Sequence, residues 1–146
     1  MSLNVDFSKL MQLGEGKTLE YKRNTTSLFS VLKSVIAFAN TAGGIILIGV
    51  DDDSTIVGID EPGKIQEQLA NSIANRIKPQ LLPDFSVVNI HGKSIIVLQI
   101  EHIHGPFYLS DKEEAKSVYI RVGNSNHLAS PEVIQELKSR FKYSLY

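Results

Sequence analysis

Apolar and polar positions change period several times along this chain, and each change marks an element. Phe7 to Leu13 has helical spacing and is stopped by Gly14 and Gly16. Thr18-Leu19-Glu20-Tyr21-Lys22 then alternates with period two, which predicts a strand. Thr18, Glu20 and Lys22 leave one face of it, Leu19 and Tyr21 the other. From about Thr26 the spacing becomes helical: Leu28, Val31, Leu32, Val35, Ile36 and Ala39 recur until Gly43-Gly44 ends the run. Ile45 to Ile48 is apolar on both faces, as a strand buried in mid-sheet should be. Asp51-Asp52-Asp53-Ser54 reads as a turn, and Ile56-Val57-Gly58-Ile59 as the partner strand returning from it.

A second long helix is expected after Pro62, with Ile65, Leu69, Ile73 and Ile77 on one face and an end before Pro79. Phe85 to Ile90 and Ser94 to Ile100, joined by His91-Gly92, read as a hairpin. Short strands are expected near Phe107-Tyr108-Leu109 and over Val118 to Val122. Ser130-Pro131-Glu132 opens the last helix, with Ser as cap and Pro at the first helical position. Helices interleaved with strand pairs predict an α+β (mixed α/β) fold. We expect a mixed, mostly antiparallel sheet with three to four helices packed on it. No linker, repeat or low-complexity segment divides residues 1–146, which read as a single domain.

Composition narrows the function classes. The chain has 146 residues, 42% apolar and 21% charged, ordinary for a soluble domain with a substantial core. No apolar run approaches the roughly 20 residues of a membrane span, and no signal segment opens the chain. A cytoplasmic location and no membrane partner are therefore expected. Cysteine is absent, which excludes disulfides, thiolate zinc sites and a cysteine nucleophile. Net charge is -1, from 15 Lys and Arg against 16 Asp and Glu, so any nucleic-acid site must be a local patch.

Candidate chemistry gathers first around Glu20 and Lys22, which share a strand face. A carboxylate there can hold Mg²⁺ or Mn²⁺, and a neighbouring lysine can orient water or offset phosphate charge. An ordinary exposed ion pair explains the same two residues. Glu15 lies in a Gly-flanked bend just before this strand. Asp51, Asp52 and Asp53 follow the buried strand, where sites are common, although aspartates also form turns for their own sake. Convergence of these acids requires the Glu20 strand to lie beside the central one.

Two stretches imitate a phosphate loop. Gly58-Ile59-Asp60-Glu61-Pro62-Gly63-Lys64 has the right glycine spacing, but Ile65 offers no hydroxyl to a metal and Pro62 removes a cradling N–H. Asp60 and Glu61 would repel a triphosphate. Gly16-Lys17-Thr18 has Met11 where the first glycine belongs, and a strand follows it. No nucleotide cofactor and no ATPase activity are expected. His102 and His104 share a strand face with no third ligand evident, His91 falls in a turn and His127 in a loop.

Arg121, followed by Gly123-Asn124-Ser125-Asn126, offers a cation and a flexible backbone to a phosphate, or simply a polar loop. The tail Lys138, Arg140, Phe141, Lys142, Tyr143 and Tyr146 mixes cations with rings, as single-strand binders do. Cations at a helix C-terminus are also favoured by its dipole.

Several blocks carry a family resemblance. Leu19-Glu20-Tyr21-Lys22, Ala37-Phe38-Ala39-Asn40-Thr41-Ala42-Gly43-Gly44, Ile48-Gly49-Val50-Asp51-Asp52 and Val57-Gly58-Ile59 strongly resemble the Schlafen AlbA-like domain. Tyr119-Ile120-Arg121-Val122-Gly123-Asn124-Ser125 is similar to the family's late strand and loop. The resemblance runs over roughly 14–137. It implies a nucleic-acid-binding domain, in bacteria often part of proteins labelled transcriptional regulators; some members carry an older label, divergent AAA. Related domains in the animal Schlafen proteins form a metal-dependent ribonuclease acting on structured RNA such as tRNA. By matching motif, the resemblance places that acidic set on Glu15, Glu20 and Asp52, with Asp51 as the alternative. Those enzymes use two lobes as a clamp, so a single lobe implies either a homodimer or binding alone.

Three expectations follow. The first is a DNA- or RNA-binding module contacting phosphates through Lys22, Arg23 and Arg121, with Asn124 and Ser125 beside them. The second is a Mg²⁺- or Mn²⁺-dependent endoribonuclease with Glu15, Glu20 and Asp52 as ligands and Lys22 as electrostatic aid. The third is an interaction or dimerisation module without catalysis.

Overall fold

The computed structural model describes residues 7–144, with side chains through residue 140. In chain order it contains helix α1 (Phe7–Leu13), strand β1 (Leu19–Lys22), helix α2 (Leu28–Asn40), strand β2 (Gly44–Ile48) and helix α3 (Pro62–Arg76). Strands β3 (Ile77–Lys78), β4 (Asp84–Ile90), β5 (Lys93–Ile100) and β6 (Tyr108–Leu109) follow, then a 3-10 turn at Glu114–Lys116. Strands β7 (Tyr119–Val122) and β8 (Ser125–Leu128) and helix α4 (Pro131–Ser144) complete it.

The main sheet has the order β1-β2-β5-β4. Only the β1–β2 pairing is parallel, with Glu20 opposite Ile46 and Lys22 opposite Ile48. β2–β5 and β4–β5 are antiparallel. This is the expected α+β fold, a mixed and mostly antiparallel sheet with four helices among the described residues. The early acidic strand does lie beside the greasy central one.

Strand alternation distributes the core over both faces of this sheet. Ile46 and Ile48 of β2 point with Ile96, Leu98 and Ile100 of β5 into a cluster filled by Val31, Leu32, Val35 and Phe38 of α2 and Leu69 and Ile73 of α3. Leu47, with Leu19, Tyr21, Ile95 and Val97, points the other way, under Phe7, Leu10 and Met11 of α1. Fully burying one such side chain is worth about 1.5–3 kcal/mol, so β2, buried on both faces, anchors the sheet. A third, smaller cluster joins α4 to the β7–β8 hairpin: Ile134 and Leu137 group with Val118 and Ala129 at its two ends and with Ile120 of β7. No helix among the described residues is long and apolar enough to cross a membrane.

The β4–β5 hairpin turns on His91-Gly92 with φ of 50° and 79°, the left-handed pair that a two-residue turn requires. Gly43 ends α2 in the left-handed region at φ 71°, its N–H on the Phe38 carbonyl at 2.8 Å. A Cβ on Gly44 would stand 2.7 Å from the Thr18 carbonyl oxygen, so β1 reaches β2 only over a glycine.

Several local expectations need correction. Ile56 to Ile59 is not a partner strand, because both edges of β2 are taken by β1 and β5. Only a single bridge joins Val50 to Ile56. The Val57 and Gly58 N–H groups both donate to the Gly49 carbonyl, at 2.8 and 2.9 Å, and curl the segment into a tight loop. His102 and His104 lie beyond the end of β5, their ring centroids 5.4 Å apart, with His102 Nδ1 2.9 Å from the Ala39 carbonyl oxygen. Residues 125–128, His127 among them, form β8 rather than a loop. Side chains from Phe141 onward, and Tyr146 altogether, lie outside the described residues; Lys138 and Arg140 pair with Glu114 and Glu136.

Candidate nucleic-acid interface

Period two sends Glu20 and Lys22 to the sheet face that α2 covers, and that decides their chemistry. Glu20 is only 6% exposed. Its Oε2 lies 3.0 Å from Lys22 Nζ and accepts from Ser34 Oγ at 2.5 Å. Its Oε1 accepts from Arg121 Nη1, also at 2.5 Å. Ser30 and Ser34, one helical turn apart on α2, serve the two sides of this pair: Ser34 bonds the carboxylate, and Lys22 Nζ donates to Ser30 Oγ at 2.6 Å. Asn126 of β8 completes the ring, accepting from Arg121 at 2.8 Å and donating to Ser34 Oγ at 2.9 Å.

Arg121 closes the cluster from the far side. Its Nε and Nη2 both donate to the Gly16 carbonyl, at 3.2 and 3.0 Å, and its guanidinium lies 4.7 Å from the Phe38 ring centroid. Burial pushes the Glu20 carboxyl up, but the Ser34 hydrogen bond, the Lys22 charge and the bonds from Lys22 and Arg121 outweigh it. The carboxyl therefore titrates below its usual value. One buried carboxylate is held by two cations. Losing Glu20 would leave the buried Arg121 charge uncompensated under α2.

The Phe-Ala-Asn-Thr block has a structural explanation. The Asn40 side chain donates to the Phe107 and Tyr119 carbonyls at 3.0 and 2.9 Å and accepts from the Phe107 N–H at 2.8 Å. Thr41 Oγ1 accepts from the Arg121 N–H at 2.8 Å. The end of α2 is thereby stapled to β7, which fixes where Arg121 can reach.

The acidic residues do not converge. Glu15 accepts from the Tyr21 N–H at 3.0 Å and so serves the backbone of β1. Asp51 pairs with Arg23 at 2.5 Å on the surface, and Asp52 is exposed beside it, its N–H on Asp51 Oδ1. Asp53 is a turn former whose Oδ1 accepts from the Thr55 N–H at 2.9 Å. Among the described residues, no three His, Cys, Asp or Glu side chains come close enough to hold a metal ion. The divalent ion implied by the likeness to the animal Schlafen proteins does not fit these residues: both Glu20 oxygens are engaged, and an ion there would face a guanidinium and an ammonium.

Arg121 is also corrected as a phosphate contact, since its side chain is wholly buried and bonded to Glu20, Gly16 and Asn126. Lys22 keeps 19% of its side chain in solvent at the rim of the cluster. Arg23 is well exposed next to it, and Asn124 and Ser125 are exposed where Gly123, at φ 60°, turns β7 into β8.

Another group of side chains lies on the outer flank of α2. Phe29, 36% exposed, meets Tyr119 edge-on with centroids 6.4 Å apart. Lys33 Nζ stands 5.4 Å from the Phe29 centroid and 5.5 Å from that of Tyr119, and Lys112 Nζ 4.9 Å from Phe29. Neither lysine joins an ion pair among the described residues, so both cations remain uncompensated by a carboxylate. The signal in the sequence is Phe29 itself, an aromatic lying off the apolar stripe of α2 with a lysine four residues on.

Comparison with known proteins agrees with this architecture. The family model described as Schlafen, AlbA_2 matches residues 15–130. The chain is similar to the N-terminal domain of an ATP-dependent DNA helicase RecG-related protein from Nitrosomonas europaea, with 29% identity and a TM-score of 0.63. That match covers 83% of this chain and 91% of the other. The DIP2311 protein of Corynebacterium diphtheriae shares the fold at 18% identity and a TM-score of 0.62. There the match covers 77% of this chain but 22% of that one.

Proposed function

This chain belongs to the Schlafen AlbA_2 family, and from that premise we propose that it binds nucleic acid through the phosphate backbone. The surface is the one formed by the end of β1, the first turns of α2 and the β7–β8 hairpin. The observation that carries the reading is a local excess of cations in a chain of net charge -1. Glu20 is shared by two cations, Lys22 emerges at the rim, and Lys33 and Lys112 have rings rather than carboxylates for partners. Phosphates are the natural complement of such a patch.

Lys22, Arg23, Lys33 and Lys112 are the phosphate contacts in this reading, with the hairpin amides and hydroxyl of Asn124 and Ser125 beside them. Arg121 is a positioning residue: it holds Glu20 and β7 so that the surface keeps its shape. The RecG-related neighbour, described as a DNA helicase relative, supports a nucleic-acid role without choosing DNA over RNA. A second copy facing this surface would close it into a groove, and sedimentation with and without oligonucleotide detects that step. Cleavage is not part of the reading, because the acids that would hold a metal are separately engaged.

Titrating labelled DNA and RNA oligonucleotides with the protein tests the proposal by fluorescence anisotropy. Binding that weakens as salt rises is expected. No binding to any DNA or RNA at low salt overturns it.

A further inference from the structure

We propose that Phe29 and Tyr119 form a stacking platform for an unpaired base, which makes single-stranded nucleic acid the preferred ligand of this surface. The inference rests on the nucleic-acid-binding reading and adds to it the state of the strand.

Phe29 is not part of the main core, and its ring contact is with Tyr119 at the core's margin. The buried stripe of α2 runs through Val31, Leu32, Val35, Ile36 and Phe38, whereas Phe29 stands 36% exposed beside it. Its partner Tyr119 is fixed by the bond from Asn40 to the Tyr119 carbonyl, so one ring of the pair sits on a rigid strand. The rings meet at 75°, which gives a step with two differently oriented faces rather than a closed stack. Phe29 is exposed and Tyr119 half-buried, and Phe29 precedes Ser30, the residue that Lys22 bonds.

The lysines decide which ligand suits it. Lys33 lies between both rings and Lys112 over Phe29. A base stacked on an aromatic side chain gains more than an exposed ammonium does over the same ring, so an incoming base displaces the cation. The displaced ammonium stays within one flexible stem of the site, where a phosphate linked to that base must lie. A duplex keeps its bases stacked on one another and can use only the cations. An apolar peptide would use the rings and leave the lysines without a partner.

The test compares three fluorescein-labelled probes at equal length: an oligothymidylate, the same strand with abasic sites, and a duplex. Anisotropy titration of the wild type is expected to show roughly tenfold tighter binding to the thymidylate than to the abasic strand. Phe29→Leu, which keeps an apolar contact without a ring face, is expected to abolish that difference, with an unchanged thermal melt. Lys33→Ala should weaken all three probes. Equal affinity for thymidylate and abasic strands in the wild type, or a difference that survives in both Phe29→Leu and Tyr119→Leu, overturns the stacking site while duplex binding leaves the broader reading standing. Absence of binding to all three overturns both.

Discussion

Arg121 reaches back across 101 positions of sequence to meet Glu20 at 2.5 Å, with its own side chain sealed from solvent. The contact ties the late β7–β8 hairpin to the first strand of the sheet, beneath α2. Removing Glu20 strands the Arg121 charge in a buried place, which typically costs about 3–5 kcal/mol. Glu20→Ala should lower stability by that order in urea melts, and Arg121→Ala by less, because Lys22 still pairs with Glu20. The double variant should cost clearly less than the two together, and strict additivity would show that the pair is not coupled.

Acid should act on the same cluster. Burial raises the Glu20 carboxyl, yet Ser34, Lys22 and Arg121 together hold it below its usual value of 4.5. Its folded pKa being the lower one, ionised Glu20 favours folding. The contribution is full above about pH 4.5 and is lost as pH falls through the folded value. Melting temperature followed from neutral to acid pH should show this loss in the wild type, and Glu20→Gln should flatten it. An identical acid limb in both proteins would place the acid sensitivity elsewhere.

Divalent ions should have little to hold. With Glu15 on a backbone N–H, Asp51 on Arg23 and both Glu20 oxygens engaged, Mg²⁺ or Mn²⁺ should leave the melting temperature unchanged, and chelation should leave oligonucleotide affinity unchanged. A rise in melting temperature with Mn²⁺ that disappears in Glu20→Gln would contradict this.

Asn40 should prove structural in kind. Its amide satisfies the buried Phe107 carbonyl and N–H and the half-buried Tyr119 carbonyl, at roughly 1–3 kcal/mol for each buried group left unpaired. Asn40→Ala should therefore destabilise the domain severely. Gly44→Ala should do likewise, through the Thr18 carbonyl that a Cβ would strike. Wild-type melting of Asn40→Ala would refute the stapling role, and of Gly44→Ala the close approach of β1 to β2.

The sequence was most informative where pattern and environment coincide. The α2 stripe and the doubly apolar β2 follow from period alone, since each is set by neighbours close in space and regular in sequence. The shared face of Glu20 and Lys22 was legible for the same reason. What period two cannot say is what lies over that face. The covering helix and an arginine a hundred residues away turn an apparent ligand set into a closed ion cluster. The same long-range step hid the use of Asn40 and Thr41, whose partners lie on β7 and its approach. Ile56 to Ile59 looked like a strand locally, but β5 had already claimed the edge of β2 it needed. Phe29 was visible only as an aromatic out of phase with its helix.

Nucleic-acid binding through the α2 surface is the central claim, and its salt dependence measures it most directly. Wild-type affinity for a single-stranded oligonucleotide should fall linearly on a log–log plot against salt. Each phosphate-contacting lysine contributes about 0.7 to the slope, so Lys33→Ala/Lys112→Ala should be shallower by about 1.4. A wild-type slope near zero, or one that the double substitution leaves unchanged, would contradict the claim.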